Sequence, residues 1–202
     1  MNSCFLQRSI NAIVGATLDS RGDSGDEPVM PDNTFSLDQV NALSRKDFVA
    51  AFGDVAEHSP WVAEKAAAAR PFADRRAMAA AFVEALLTAG EPEKLALIRA
   101  HPDLAGRAAI AGDLAEESRR EQADAGLGRL TVEEFGCFSA LNDAYREKFR
   151  FPFILAVKGV DKQGILRSFE ERIANDPEAE FANAIRQVAQ IVAFRIDDRV
   201  SS

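Results

Sequence analysis

The sequence predicts an all-α fold. Alanine, leucine, glutamate and arginine dominate it, tyrosine occurs once, and clean period-two runs of apolar residues are nearly absent. A chain of 202 residues, 47% of them hydrophobic, can bury one sizeable core. A single helical domain of about eight helices, preceded by a tail, is therefore the simplest organisation.

Residues 1–33 form that tail, and the domain spans 34–202. Asp19-Ser20-Arg21-Gly22-Asp23-Ser24-Gly25-Asp26-Glu27-Pro28 is acidic, rich in serine and glycine, and without apolar period, so disorder is expected there. Met30, directly before Pro31, reads as an alternative start codon, a choice the sequence leaves open. From Ser36 the chain is punctuated helix by helix. Ser44 with Asp47 reads as a capped start for a helix carrying Phe48, Val49 and Phe52, ended by Gly53. Ser59-Pro60 offers a cap followed by a first-turn proline, and Arg70-Pro71 closes that helix. Asp74 opens a third with Met78, Phe82, Ala85 and Leu86 on one face, stopped by Gly90. Pro92 opens a fourth, with Leu95 and Ile98 inward, which His101-Pro102 terminates because proline disfavours helical geometry in the residue before it. A fifth runs from near Ala115 to about Gly126, with Ser118, Glu121 and Gln122 on one stripe and Ala125 continuing it. Thr131 with Glu134 is a capping box for a long helix bearing Phe135, Phe138, Leu141, Tyr145 and Phe149. Phe151 to Val157 is apolar but holds Pro152, so a buried extended segment is expected. Two final helices occupy about 161–175 and 177–199.

Charge and cysteine content exclude several function classes. A net charge of −8 argues against a nucleic-acid backbone or an anionic membrane as partner. Cys4 and Cys137 lie far apart and outside any CxxC or Cys/His cluster, so neither a disulfide nor a zinc framework is expected, and no metal-ligand spacing occurs. No apolar run approaches the roughly 18 residues of a membrane span. The apolar stretch Ile10 to Thr17 is too short and polar for a secretory signal, which leaves a reducing cytoplasm as the expected compartment.

Chemistry concentrates in two places. His101-Pro102-Asp103-Leu104-Ala105-Gly106, followed by Glu117-Ser118-Arg119-Arg120-Glu121-Gln122, gathers an imidazole, carboxylates and amide donors in one short segment. A histidine of ordinary pKa near 6.5 suits proton transfer at neutral pH, and it equally suits a helix end whose carbonyls it bonds. Glu121 reads either as a ligand group or as one charge of a solvated helix face. His58 precedes a helix start and is assigned a structural role. In the last helix Phe181, Ile185, Val188 and Val192 step along one face, and Arg195 continues that line. A guanidinium cannot shed its charge, so an inward Arg195 needs a carboxylate or an electron-rich ligand, unless it snorkels at the stripe's end. Phe153, Ile154, Leu155, Ala156 and Val157 read as core, or as an extended backbone able to hold a flat polar heterocycle.

Together these motifs resemble the OHCU decarboxylase family, OHCU being 2-oxo-4-hydroxy-4-carboxy-5-ureidoimidazoline. The resemblance rests on His101 to Gly106, Glu117-Ser118 to Glu121-Gln122 with Ala125-Gly126-Leu127, Leu141-Asn142, Tyr145, and Lys148-Phe149 to Phe151-Pro152-Phe153. It extends from about Leu43 to Val200, including Glu57-His58-Ser59-Pro60-Trp61-Val62-Ala63-Glu64 and Arg70-Pro71-Phe72. It implies an all-α homodimer that forms (S)-allantoin in uric acid degradation without a cofactor. It also implies His101 as acid or base with Pro102 beside it, and Ser118, Arg119, Arg120, Glu121 and Gln122 along the substrate with Glu121 as the principal carboxylate. Backbone contacts are to come from Phe153 to Val157, and Arg195 is to hold a polar edge. Arg150 departs from the glycine usual in the family before Phe-Pro-Phe, which bears on the placement of Phe153 to Val157. The terminal Arg199-Val200-Ser201-Ser202 lacks a Ser-Lys-Leu type peroxisomal address. The alternatives are a non-catalytic helical interaction module and another ring-acting lyase or hydrolase on this scaffold. An enzyme needs His101, Glu121 and Arg195 to converge on one cavity; a module does not.

Overall fold

A computed structural model describes residues 34–106 and 116–201. The expected tail lies outside the described residues. Among the described residues nine α-helices follow one another: α1 Leu37–Ala42, α2 Arg45–Phe52, α3 Trp61–Ala66, α4 Arg75–Leu87, α5 Glu91–Ala100, α6 Glu116–Asp124, α7 Val132–Phe149, α8 Lys162–Arg172 and α9 Pro177–Arg199. Among the described residues the β-type contact is an isolated parallel bridge between Phe35 and Val200. There the Ser201 N–H donates to the Phe35 carbonyl at 2.9 Å, tying the start of the described chain to its end. No described helix is long and apolar enough to cross a membrane.

Local chemistry places the helix starts. Ser36, Ser44, Asp74, Thr131, Asp161 and Asp176 each accept, through a side-chain oxygen, the backbone N–H three residues on. Two expected boundaries are corrected. Ser59 does not cap α3; Pro60 is already αR at the cap position, and Ser59 contributes its carbonyl, which accepts from the Val62 N–H at 3.1 Å. Gly90 does not end α4, which stops at Thr88; extended Gly90 instead begins α5, its N–H held by the Glu93 carboxylate at 3.0 Å.

The 23-residue α9 is the organising rod, packing most extensively on α4 and also on α5 and α7. Phe48, Phe52, Phe72 and Phe82 form one aromatic cluster of the core, and Tyr145, Phe149, Phe151, Phe153 and Phe169 form another. The Phe153 and Phe169 rings stack at 3.6 Å. Residues 151–157 are non-helical and largely buried, as expected. Arg150, which leads into them, adopts φ 65° and ψ 20°, the left-handed conformation that ends many helices. Glycine would take it without the ~1–2 kcal/mol cost of a Cβ, which accounts for the family's usual residue there.

A buried ion pair anchors this segment. Arg172, at the end of α8, donates through Nη1 to the Ile154 carbonyl at 2.7 Å and through Nε to Glu180 Oε1 at 2.9 Å, with its guanidinium over the Phe153 ring. Glu180 is fully buried and also accepts from the Tyr145 hydroxyl and, at 2.6 Å, from Asn175. Removing one member leaves an uncompensated buried charge, at a typical cost of about 3–5 kcal/mol. Glu180→Ala is therefore expected to lower unfolding free energy in urea by that amount; a loss below about 1 kcal/mol would show that Arg172 is satisfied elsewhere.

Candidate active site

Pro102 determines where α5 ends. His101 is its C-cap, extended at φ −69° and ψ 140°, and the ring is turned inward, only 7% exposed. Its Nδ1 lies 2.9 Å from the Leu97 carbonyl oxygen. A carbonyl can only accept, so Nδ1 carries a proton, and in the neutral ring Nε2 is the free base. Burial pushes the His101 pKa below its ordinary value; the Leu97 carbonyl and the Glu57 charge oppose that shift without cancelling it. The following turn is pinned from two helices. The Ala105 N–H donates to Gln122 Oε1 at 2.9 Å, and Asn142 Nδ2 donates to the Leu104 carbonyl at 2.9 Å.

Helix α6 presents a polar stripe, with Ser118 and Gln122 buried and Glu121 half-buried, while Arg119 and Arg120 are exposed. Helix α9 brings Arg195, 4% exposed, against that stripe. Its Nε and Nη2 donate to the two oxygens of Glu121 at 2.8 and 2.9 Å, a bidentate fork. Nη2 also donates to Ser118 Oγ at 3.2 Å, and Nη1 to Glu57 Oε2 at 3.2 Å and the Val55 carbonyl at 3.3 Å. All five N–H groups thus have acceptors. Burial alone disfavours the charged form, but Glu121, Glu117 and Glu57 outweigh it and hold the pKa of Arg195 above its ordinary value. Arg199, one turn on, extends the network to Glu117 at 2.7 Å and Asp54 at 2.6 Å.

These elements enclose one cleft lined by His101, Pro102, Leu104, Ser118, Glu121, Gln122, Phe153, Ile154, Leu155, Val157, Ile191 and Arg195. Three expected site residues do not line it. Arg119 and Arg120 are turned outward because a 3.6-residue period places only 118, 121 and 122 on the inner stripe. Ala156 is buried, its N–H donating instead to Gln187 Oε1 at 2.9 Å. Glu57 belongs to the network but was not among the residues expected at the site. The signal available for it was an acid directly after Val55-Ala56, in a loop where no periodicity says which way a side chain turns. No cluster of three potential metal ligands occurs among the described residues.

A family profile described as OHCU decarboxylase matches residues 41–197. The chain belongs to the OHCU decarboxylase family. It is 40% identical, over 83% of its own length and 97% of the relative, to a 2-oxo-4-hydroxy-4-carboxy-5-ureidoimidazoline decarboxylase of Haloferax volcanii. It is 38% identical to a "uric acid degradation bifunctional protein" of Bacillus sp., with 80% of the chain matching 32% of that longer protein. Among solved structures, an (S)-allantoin synthase superposes with a TM-score of 0.67 at 27% identity, covering 83% of this chain and 54% of that one.

In this member of the OHCU decarboxylase family the lowered His101 pKa has a testable sign. Between the folded and unfolded pKa values the folded state binds fewer protons, so this residue's contribution to stability is present above about pH 6.5 and is lost as pH falls below it. An NMR titration of the imidazole is expected to give a midpoint below about 6.5 with the Nδ1–H tautomer in the neutral form; a midpoint above that value would contradict the burial argument.

Proposed function

We propose that this chain is a cofactor-independent carboxy-lyase that converts OHCU to (S)-allantoin in uric acid degradation. The observation that carries the proposal is convergence: His101, Glu121 and Arg195 meet on one cleft beside the non-helical segment 153–157. The domain of residues 34–202 is taken as the enzyme, a cytoplasmic homodimer, on the strength of the family resemblance.

Overall the reaction replaces C–CO2⁻ by C–H and consumes one proton. The electron pair released with CO2 passes to the adjacent ring C=N, whose nitrogen gains that proton, leaving an enol. The enol becomes the ring carbonyl as its hydroxyl proton leaves and a proton arrives at the neighbouring carbon, the stereocentre. Neutral His101, with Nε2 unprotonated, suits the proton-moving role in this step. Arg195 supplies a fixed cation where negative charge develops, and Glu121 holds it in plane. The Ile154 carbonyl and the Ala156 N–H are engaged on the scaffold, and to the N–H and C=O of Leu155, a residue that lines the cleft, the reading assigns the pairing with the ring's amide edge.

The test is circular dichroism at an allantoin band, with uric acid, uricase and hydroxyisourate hydrolase supplied. The chain is expected to accelerate (S)-allantoin formation, and its failure to do so would refute the reading. His101→Asn is expected to lose about 10²- to 10⁴-fold in kcat while remaining folded. Arg195→Lys keeps the charge but not the fork, and is expected to lose at least about tenfold in kcat/KM; wild-type kinetics there would make Arg195 scaffold rather than site.

A further inference from the structure

We infer that Glu57 is a positioning residue of the active site, fixing Arg195 and Ser118 from behind the cleft. The inference rests on the decarboxylase reading and adds a group outside the cleft lining. Glu57 sits in the loop between α2 and α3, 4% exposed, and does not line the cleft. Its Oε2 accepts two hydrogen bonds, from Ser118 Oγ at 3.1 Å and from Arg195 Nη1 at 3.2 Å. Because the serine hydroxyl spends its only proton on Glu57, its lone pairs are turned to Arg195 Nη2, 3.2 Å away. The result is a closed triangle in which the hydroxyl rotor and the guanidinium plane are both determined by one carboxylate.

The backbone at this point is strained. His58, the next residue, has φ 47°, a left-handed conformation that a non-glycine residue adopts at a cost of about 1–3 kcal/mol. His58 is exposed while Glu57 and Ser59 are buried on either side of it. The strained residue thus lies where the loop sends Glu57 toward Arg195. Charge balance for Arg195 does not require this acid, since Glu121 holds the same guanidinium bidentately and Glu117 lies 3.6 Å away. What Glu57 adds is orientation, together with a negative charge near His101. The charged groups acting on His101 are Glu57 from this loop, Glu121 from α6 and Arg195 from α9, with the Leu97 carbonyl from its own helix.

Two variants of the full chain separate geometry from charge. Glu57→Asp keeps the charge but withdraws the carboxylate by one methylene, breaking both contacts. The expected result is a fall of about tenfold or more in kcat/KM, with the acid limb of the pH profile in place. Glu57→Gln keeps the shape and removes the charge, so His101 loses a stabilising neighbour for its protonated form; the acid limb, and the His101 midpoint read by NMR, are expected to move to lower pH. A merely structural role would lower the melting temperature without moving either. Wild-type kcat/KM in Glu57→Asp, or an unmoved His101 midpoint in Glu57→Gln, overturns the inference, and one folded variant suffices to decide. If the wild-type chain proves inactive toward OHCU, the decarboxylase reading fails separately, and the NMR midpoint still tests whether Glu57 acts on His101.

Discussion

A guanidinium cannot lose its charge, and this chain buries one against the polar stripe of α6. That constraint organises the structure around Arg195. Carried by α9, its five N–H groups are satisfied from two separate parts of the chain: the 53–60 loop through Val55 and Glu57, and α6 through Ser118 and Glu121. Buried ion pairs are weak sources of net stability, because desolvation cancels most of the Coulombic gain. The network is better understood as a means of holding a cation and two carboxylates in fixed relation beside a neutral imidazole. For a reaction that carries its own electron sink, such preorganised charge is the main thing a protein can contribute.

The same physics recurs on the other wall of the cleft. Arg172 and Glu180 form a second buried pair, and the spare Nη1 of Arg172 grips the Ile154 carbonyl. Gln187 holds the Ala156 N–H from α9. A non-helical buried segment has backbone groups to satisfy, and here side chains satisfy the Ile154 carbonyl and the Ala156 N–H. Arg150 in its left-handed conformation swings the chain out of α7 and into this arrangement, and its carbonyl is in turn held by Arg99 Nε at 3.2 Å. Two arginine-centred networks thus hold the cleft from opposite sides, one placing side chains and the other placing main chain.

Much of this was legible in the sequence. Capping serines, threonines and aspartates read directly as helix starts because the hydrogen bond they make is local, three residues long. His101 at a helix end and Arg195 on an apolar stripe were legible for the same reason, since proline geometry and a 3.6-residue period are local rules. What local rules cannot reach is the rest. Arg119 and Arg120 belong to the motif but lie off the inner stripe and outside the cleft lining, a distinction that contiguity in sequence does not show. Glu57 reaches Arg195 across the whole fold from an irregular loop, and the bridge from Phe35 to Val200 joins the two ends of the described domain. Ser59 looked like a cap, yet a proline that is itself αR took the position.

On the proposed function, one cleft, held by Arg195 and its acids, receives the ring between His101 and the 153–157 backbone. The most direct measurement is a crystal structure of the chain with (S)-allantoin. The account predicts the hydantoin ring in this cleft, with His101 Nε2 facing the carbon that bears the ureido group and the Leu155 backbone paired to the ring's amide edge. (S)-allantoin bound at another site, with this cleft empty and the Arg195 network unaltered, would contradict it.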